Sequence, residues 1–274
     1  MDNRLRNGFC IDKKRRTASH KQPDPHVHDY YELYYMWEGE CRYFLHDQVY
    51  HMKKGDFLLV PPGDHHRSAY DAKGFHDRCV IYFSPDKIDY KVFKCFSVTK
   101  DTLLKPKFFH ASAQVQPGVQ ERMLRLHAEF SLHDEVADLK IHYLFQELVI
   151  FLKENCTAVT EERESSDAEQ ALEAAAKYIT SNFTQDLNLE DVANVAGLTP
   201  TYFSKRFKEL TGLGFKEYLN HIRLKQASAM LRESNLPINE IALQCGFTGS
   251  NYFGDVFRNH FGVSPREYRK QEDT

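Results

Sequence analysis

The chain has 274 residues, a formal net charge of −3, 42 % hydrophobic residues and 27 % charged residues. This ordinary globular balance excludes a disordered, collagen-like or coiled-coil chain, and the length suits two domains. No apolar run approaches the ~20 residues of a membrane helix, so no membrane partner is expected.

The N-terminal stretch Met1–Arg16 is polar and basic, without the apolar core of a secretory signal. The six cysteines are scattered without a CxxC spacing, so they read as reduced thiols of a cytoplasmic protein. Up to about residue 110 the chain is rich in Tyr, Phe, Val and His. Tyr30–Trp37 reads as a strand, Glu38-Gly39-Glu40 as a turn, and Cys41–His46, Val49–Met52 and Phe57–Val60 as further strands. Short strands at this spacing predict a small antiparallel barrel or sandwich.

From about Pro117 the period becomes helical. Val119, Met123, Leu126 and Phe130, then Leu144, Leu148, Phe151 and Leu152, predict helices over roughly 118–132 and 135–155. The second helix is apolar around much of its circumference. It is expected to pack on the barrel and on a second subunit, giving a homodimer. Residues 157–167 are polar and charged and read as a linker.

The last hundred residues hold one pattern twice. The first copy runs Ala193, Gly197-Leu198-Thr199, Tyr202-Phe203, Phe207-Lys208, Gly212 and Glu217-Tyr218. The second runs Ala242, Gly246-Phe247-Thr248, Tyr252-Phe253, Phe257-Arg258, Gly262 and Glu267-Tyr268. Each copy reads as helix, tight turn, helix. The turn glycines Gly197 and Gly246 end the first helix, and Thr199 with Pro200 starts the next. Phe203, Phe207 and Leu210, or Phe253, Phe257 and Phe261, share the buried face. Thr201, Ser204, Lys205 and Lys208, or Ser250, Asn251, Gly254, Asp255 and Arg258, face outward. Residues 168–274 carry 12 Lys plus Arg against 13 Asp plus Glu, so this region has no basic field.

The run from Ile238-x2-Ile241-Ala242 through Gly246-Phe247, Tyr252-Phe253, Phe257-Arg258 and Gly262 to Ser264-Pro265-x2-Tyr268-Arg269 resembles the signature of the AraC family of bacterial transcription regulators. The resemblance covers about 100 residues. It implies a DNA-binding domain with two helix-turn-helix units that enter successive major grooves roughly one turn (~34 Å) apart. It also implies double-stranded DNA, a small-molecule effector and RNA polymerase as partners. Carried over by position, Thr201, Ser204 and Lys205 face base edges and Lys208 lies near phosphate; in the second unit the matching positions are Ser250, Asn251, Gly254 and Asp255, with Arg258 near phosphate. Gly254 has no side chain to read a base. Asp255 repels phosphate but can accept from a cytosine amino group. The first unit is therefore expected to carry most of the sequence reading.

In the first domain, His26-x-His28-x3-Glu32-x6-Gly39 and Gly55-x5-Pro61-x-Gly63-x2-His66 resemble the paired motifs of the cupin barrel. An asparagine often follows the last histidine by four; Tyr70 stands there here. Residues 26, 28 and 32 share parity along a strand, and three imidazoles with a carboxylate suit a divalent transition metal. A metal-free effector pocket is the leading reading of these four residues, with metal occupancy second. Tyr34, Trp37 and Tyr43 offer aromatic walls for a sugar or another small molecule, or are core residues. His65 reads as a solvated loop residue, and His127, His133, His142, His221 and His260 as surface or cap residues.

The expected chain is α+β with two domains: a cupin-like β-barrel with two helices over 1–156, a linker over 157–167, and an all-α domain with two helix-turn-helix units over 168–274. The expected function is that of a sequence-specific, non-enzymatic DNA-binding regulator. A metal-dependent cupin enzyme or metal sensor fused to a DNA-binding domain is the alternative.

Overall fold

A computed structural model describes residues 5–17, 27–70, 75–89, 91–92, 107–159 and 165–272. The chain divides into two compact units, Met1–Ser165 and Ser166–Thr274.

In the first unit, β1 (Phe9–Thr17), β2 (Tyr31–Glu38), β3 (Glu40–Leu45), β4 (Gln48–Lys53), β5 (Asp56–Val60), β6 (His66–Ala69), β7 (Phe75–Phe83), β8 (Lys107–His110) and β9 (Thr157–Ala158) form two antiparallel sheets. The order is β1-β7-β2-β5-β8-β9 in the larger sheet and β4-β3-β6 in the smaller. Helices α1 (Gln116–Phe130) and α2 (Glu135–Asn155) lie between β8 and β9 in the chain.

The strand period of two sorts the larger sheet into two faces. Tyr31, Leu33 and Tyr35 of β2, Phe57 and Leu59 of β5, and Cys79, Ile81 and Phe83 of β7 pack with Val119, Met123, Ile141, Phe145 and Leu148 of the helices. Tyr34 and Met36, Leu58 and Val60, and Val80 and Tyr82 point the other way. They meet Cys41, Tyr43, Leu45 and Met52 of the smaller sheet. β2 is thus covered on both sides, which is why its sequence is a near-continuous run of large side chains. Truncating Phe145 or Leu148 to alanine here is expected to cost about 2–5 kcal/mol.

Asp134 caps α2 by accepting from Ala137 N at 2.8 Å. Helix α2 buries one face only. Val136, Leu139, Tyr143 and Ile150 remain exposed within this unit.

The second unit is helical: α3 (Asp167–Asn182), α4 (Leu189–Val195), α5 (Pro200–Thr211), α6 (Phe215–Glu233), α7 (Ile238–Gln244), α8 (Ser250–Phe261) and α9 (Pro265–Glu272). A capping box between Ser166 and Glu169 starts α3. Arg223 of α6 donates to Phe183 O and Gln185 O, both at 2.8 Å, satisfying carbonyls beyond the end of α3. Gly197 and Gly246 adopt positive φ, +65° and +81°, where α4 and α7 end. Thr199 occupies the cap position of α5, but its side chain makes no capping bond; Pro200 at the helix start fixes that entry instead. In the second copy Gly249 is the extra turn residue and takes the cap position of α8.

Candidate functional site

Two surfaces carry the chemistry, one in each unit. The first lies between the two sheets. His28 lies just before the bend that leads into β2 and His66 opens β6, which brings both rings against Glu32. His28 Nε2 is 3.3 Å and His66 Nε2 is 3.4 Å from Glu32 Oε2. His28 Nδ1 lies 2.6 Å from Tyr30 O and His66 Nδ1 2.9 Å from Asp64 O. A carbonyl oxygen only accepts, so each Nδ1 carries the hydrogen. Each Nε2 is therefore the atom presented to the carboxylate. The other carboxylate oxygen accepts from the Tyr43 hydroxyl at 2.8 Å. Burial alone raises the Glu32 carboxyl pKa, but the hydrogen bonds and charges of His28 and His66 outweigh it and hold it well below the usual range.

Aromatic rings enclose this cluster. His28 stacks on Tyr30 at 4.2 Å, and Tyr43 lies parallel to His66 at 5.9 Å. Tyr34 meets Tyr43 edge-on at 5.1 Å and bonds the Tyr70 hydroxyl at 3.2 Å. Arg78, on the same face of β7 as Val80 and Tyr82, is buried near the Tyr34 ring and 3.6 Å from Asp12 Oδ2.

The ligand atoms of His28, Glu32 and His66 lie within 4.8 Å of one another. Metal bonds of ~2.0–2.1 Å at tetrahedral angles put ligand atoms roughly 3.3 Å apart. The two nitrogen–oxygen separations match that spacing. Backbone carbonyls on the remote ring nitrogens are also the outer contacts that metal-binding histidines use. The residues fit a divalent transition metal, and they equally form a polar, aromatic-lined pocket.

His28, Glu32 and His66 are thus brought together, while His26 lies outside the described residues. Of the two readings open for Trp37 the core one holds, and two expectations, for His65 and His221, are corrected. Trp37 packs with the core between sheet and helices, because its odd parity matches Tyr35. His65 is 3 % exposed, with its ring near Phe44, and is not solvated. His221 is buried, with its ring 5.6 Å from that of His260. Tyr30, Tyr82 and Arg78 were not anticipated at the pocket; strand parity relative to Glu32 and Tyr34 was the available signal once pairing was known.

The second surface is formed by α5 and α8. On α5, Thr201, Lys205 and Lys208 are exposed and Ser204 is half-buried, opposite the buried Phe203 and Phe207. On α8, Ser250, Asn251, Asp255 and Arg258 are exposed, opposite Phe253 and Phe257. Tyr202 and Tyr252, which precede the buried Phe203 and Phe253, turn outward at 48 % and 51 % exposure. Tyr252 accepts from Asn220 Nδ2 at 3.0 Å. No helix among the described residues is long and apolar enough to cross a membrane.

Comparison with known proteins identifies the type of each unit. Residues 13–149 match the family model of an AraC-like ligand binding domain, and residues 192–271 that of a helix-turn-helix domain. The HTH-type transcriptional activator RhaS of Klebsiella pneumoniae is 28 % identical over 257 residues, covering 90 % of this chain and 88 % of that protein. RhaS of Escherichia fergusonii is 27 % identical over 254 residues, with the same coverage. Among solved structures, the C-terminal domain of AraT, a response regulator from Geobacillus stearothermophilus, is 36 % identical. It covers 40 % of this chain and 88 % of that chain, with a TM-score of 0.36. Apo ToxT from Vibrio cholerae is 14 % identical, covers 96 % of this chain and 97 % of that chain, and has a TM-score of 0.38. With an AraC-like ligand-binding domain followed by the helix-turn-helix domain, the chain belongs to the AraC family of transcription regulators.

Proposed function

We propose that this protein is an effector-controlled transcription activator of the cytoplasm, and not an enzyme. The observation that carries the reading is the pair of amphipathic helices, α5 and α8, each holding phenylalanines inward and polar side chains outward. In this reading Thr201, Ser204, Lys205 and Lys208, with Ser250, Asn251, Asp255 and Arg258, meet the duplex. The RhaS relatives are activators by name, which supports RNA polymerase as a partner. The interior around Glu32, Tyr34 and Tyr43 takes a small polar effector, with sugars the first class to screen. The exposed face of α2 pairs two subunits. A ligand shifts the regulator only by binding one arrangement of the dimer better than another.

A second reading is favoured by the spacing at Glu32: His28, Glu32 and His66 hold a divalent transition metal. The metal would supply a Lewis-acid anchor for an effector oxygen. Metal content of the purified full chain beside His66→Ala separates the two. About one equivalent, lost in the variant, supports the metal; none after reconstitution leaves the organic pocket.

The main test is selection of duplexes from a random pool by the full chain. Enrichment of a motif with two parts about one helical turn apart is expected, with gel-shift affinity altered by a sugar from the panel. Failure to enrich any motif would refute the DNA reading.

A further inference from the structure

Gly254 lies in the interior of α8. Its φ is helical, since it is absent from the glycines with positive φ. A Cβ placed on it meets nothing within 4 Å. Gly118 and Gly246, by contrast, have visible reasons. A Cβ on Gly118 in α1 would come 2.8 Å from Phe151 Cζ, and one on Gly246 would come 2.7 Å from Phe183 O. Neither backbone conformation nor packing against described residues requires glycine at 254. Glycine is nevertheless the poorest residue in a helix interior apart from proline.

The position is not neutral ground. The matching residue of the first copy is Ser204 on the outward side of α5. On the surface of α8, Gly254 is flanked one turn before by Ser250 and Asn251 and one turn after by Arg258. Those three are exposed, while Phe253 and Phe257 hold the opposite face in the core.

We infer that Gly254 is a specificity-determining contact: DNA in the major groove comes against the backbone of α8 here, nearer than any side chain permits. The inference rests on the reading of α8 as a DNA-facing helix. The group accommodated is a base-pair edge on the groove floor, because the phosphates are reached by the longer Arg258. A missing Cβ then acts as a size filter, and the helix tolerates a poorer former to keep it.

The test uses the full chain with Gly254→Ala, Gly254→Ser and Gly254→Val, beside Ser204→Ala. Each is titrated at one salt concentration against a duplex that the wild type selects from a random pool, and against a scrambled duplex. Alanine is expected to hold or raise the melting temperature of the second unit by a few degrees. It should weaken the selected duplex roughly 5- to 50-fold, with valine worse and the scrambled duplex unchanged. Ser204→Ala removes one hydroxyl and should cost less. Gly254→Ala binding as tightly as wild type, at an equal or higher melting temperature, would overturn the inference alone. Equal weakening on both duplexes would overturn it too, since it would show no specificity. A wild type that enriches no duplex would instead remove the DNA reading and this inference together.

Discussion

The Tyr43 hydroxyl donates to Glu32 Oε1 at 2.8 Å, while both pocket histidines crowd the other oxygen of the same carboxylate. Tyr43 and His66, both from the smaller sheet, thus reach different oxygens of a carboxylate that projects from the larger one. Tyr43→Phe leaves a buried, charged acceptor short of a donor, at an expected cost of about 1–3 kcal/mol. The chain has a single tryptophan, Trp37, partly buried against the core of the first unit. Urea unfolding followed by its fluorescence reads that unit alone. An unchanged midpoint in Tyr43→Phe would show that the bond contributes nothing.

The exposed row on α2 should bury itself between subunits. Val136, Leu139 and Tyr143 are 62 %, 56 % and 65 % exposed, too large and too close together to be scattered surface residues. Leu139→Asp is expected to give a one-chain mass in analytical ultracentrifugation at micromolar concentration, with unchanged circular dichroism. A wild type that already sediments as one chain would remove the dimer.

On the proposed DNA reading, α5 and α8 should contribute unequally. Lys205 and Asp255 occupy matching, exposed positions and make no hydrogen bond or ion pair with described residues. Lys205→Ala is expected to weaken operator binding about tenfold, because it removes a cation from a domain without a basic field. Asp255→Ala should cost less. Gel-shift titrations at one salt concentration that reverse the order would contradict this.

The turn glycines give a paired test of backbone against space. Gly197 and Gly246 share positive φ, yet a Cβ on Gly197 meets nothing within 4 Å, whereas one on Gly246 meets backbone atoms of Phe183 and Thr184 under 3 Å away. Gly197→Ala should cost about 1–2 kcal/mol from the left-handed backbone. Gly246→Ala should cost clearly more, because packed backbone must also move. Calorimetry of the second unit's transition reads both.

A pH effect follows from Glu267. Hydrogen bonds from the Ser264 side chain and backbone hold its carboxyl below the usual range. Its folded pKa lies below the unfolded one, so the contribution is present above the unfolded pKa (~4.3) and lost as pH falls through the folded value. Melting of the second unit between pH 3 and 7 should lose part of its acid dependence in Glu267→Gln. An identical profile in both proteins would refute the effect.

Much of this was legible in the residues, and the exceptions share a cause. The doubled Gly, Tyr-Phe and Phe-Lys/Arg pattern placed both helix-turn-helix units because each signal is local: a turn, a cap, a 3.6-residue period. The tie of His28, Glu32 and His66 was legible from motif spacing and parity. The burial of His65 and His221, and the choice between wall and core for Trp37, depend on which face a partner covers, which no local window contains. Strand β2 illustrates this: both of its faces are covered, so polarity along it could not say which side held the pocket. Arg78 entered the pocket only through the pairing of β7 with β2.

The double coverage of β2 bears on how the pocket selects. Glu32 and Tyr34 project from a strand whose alternate residues, Leu33 and Tyr35, are clamped by the helix layer. Their positions are set by folding, not by the arriving molecule. A fitting ligand loses little affinity to ordering these groups, while a misfit finds them unable to adjust. On the proposed reading of this interior as the effector pocket, the rigidity of the core is thereby converted into discrimination between effectors, and substitutions at Leu33 on the far side of the strand are expected to change which molecules are accepted without touching any of them.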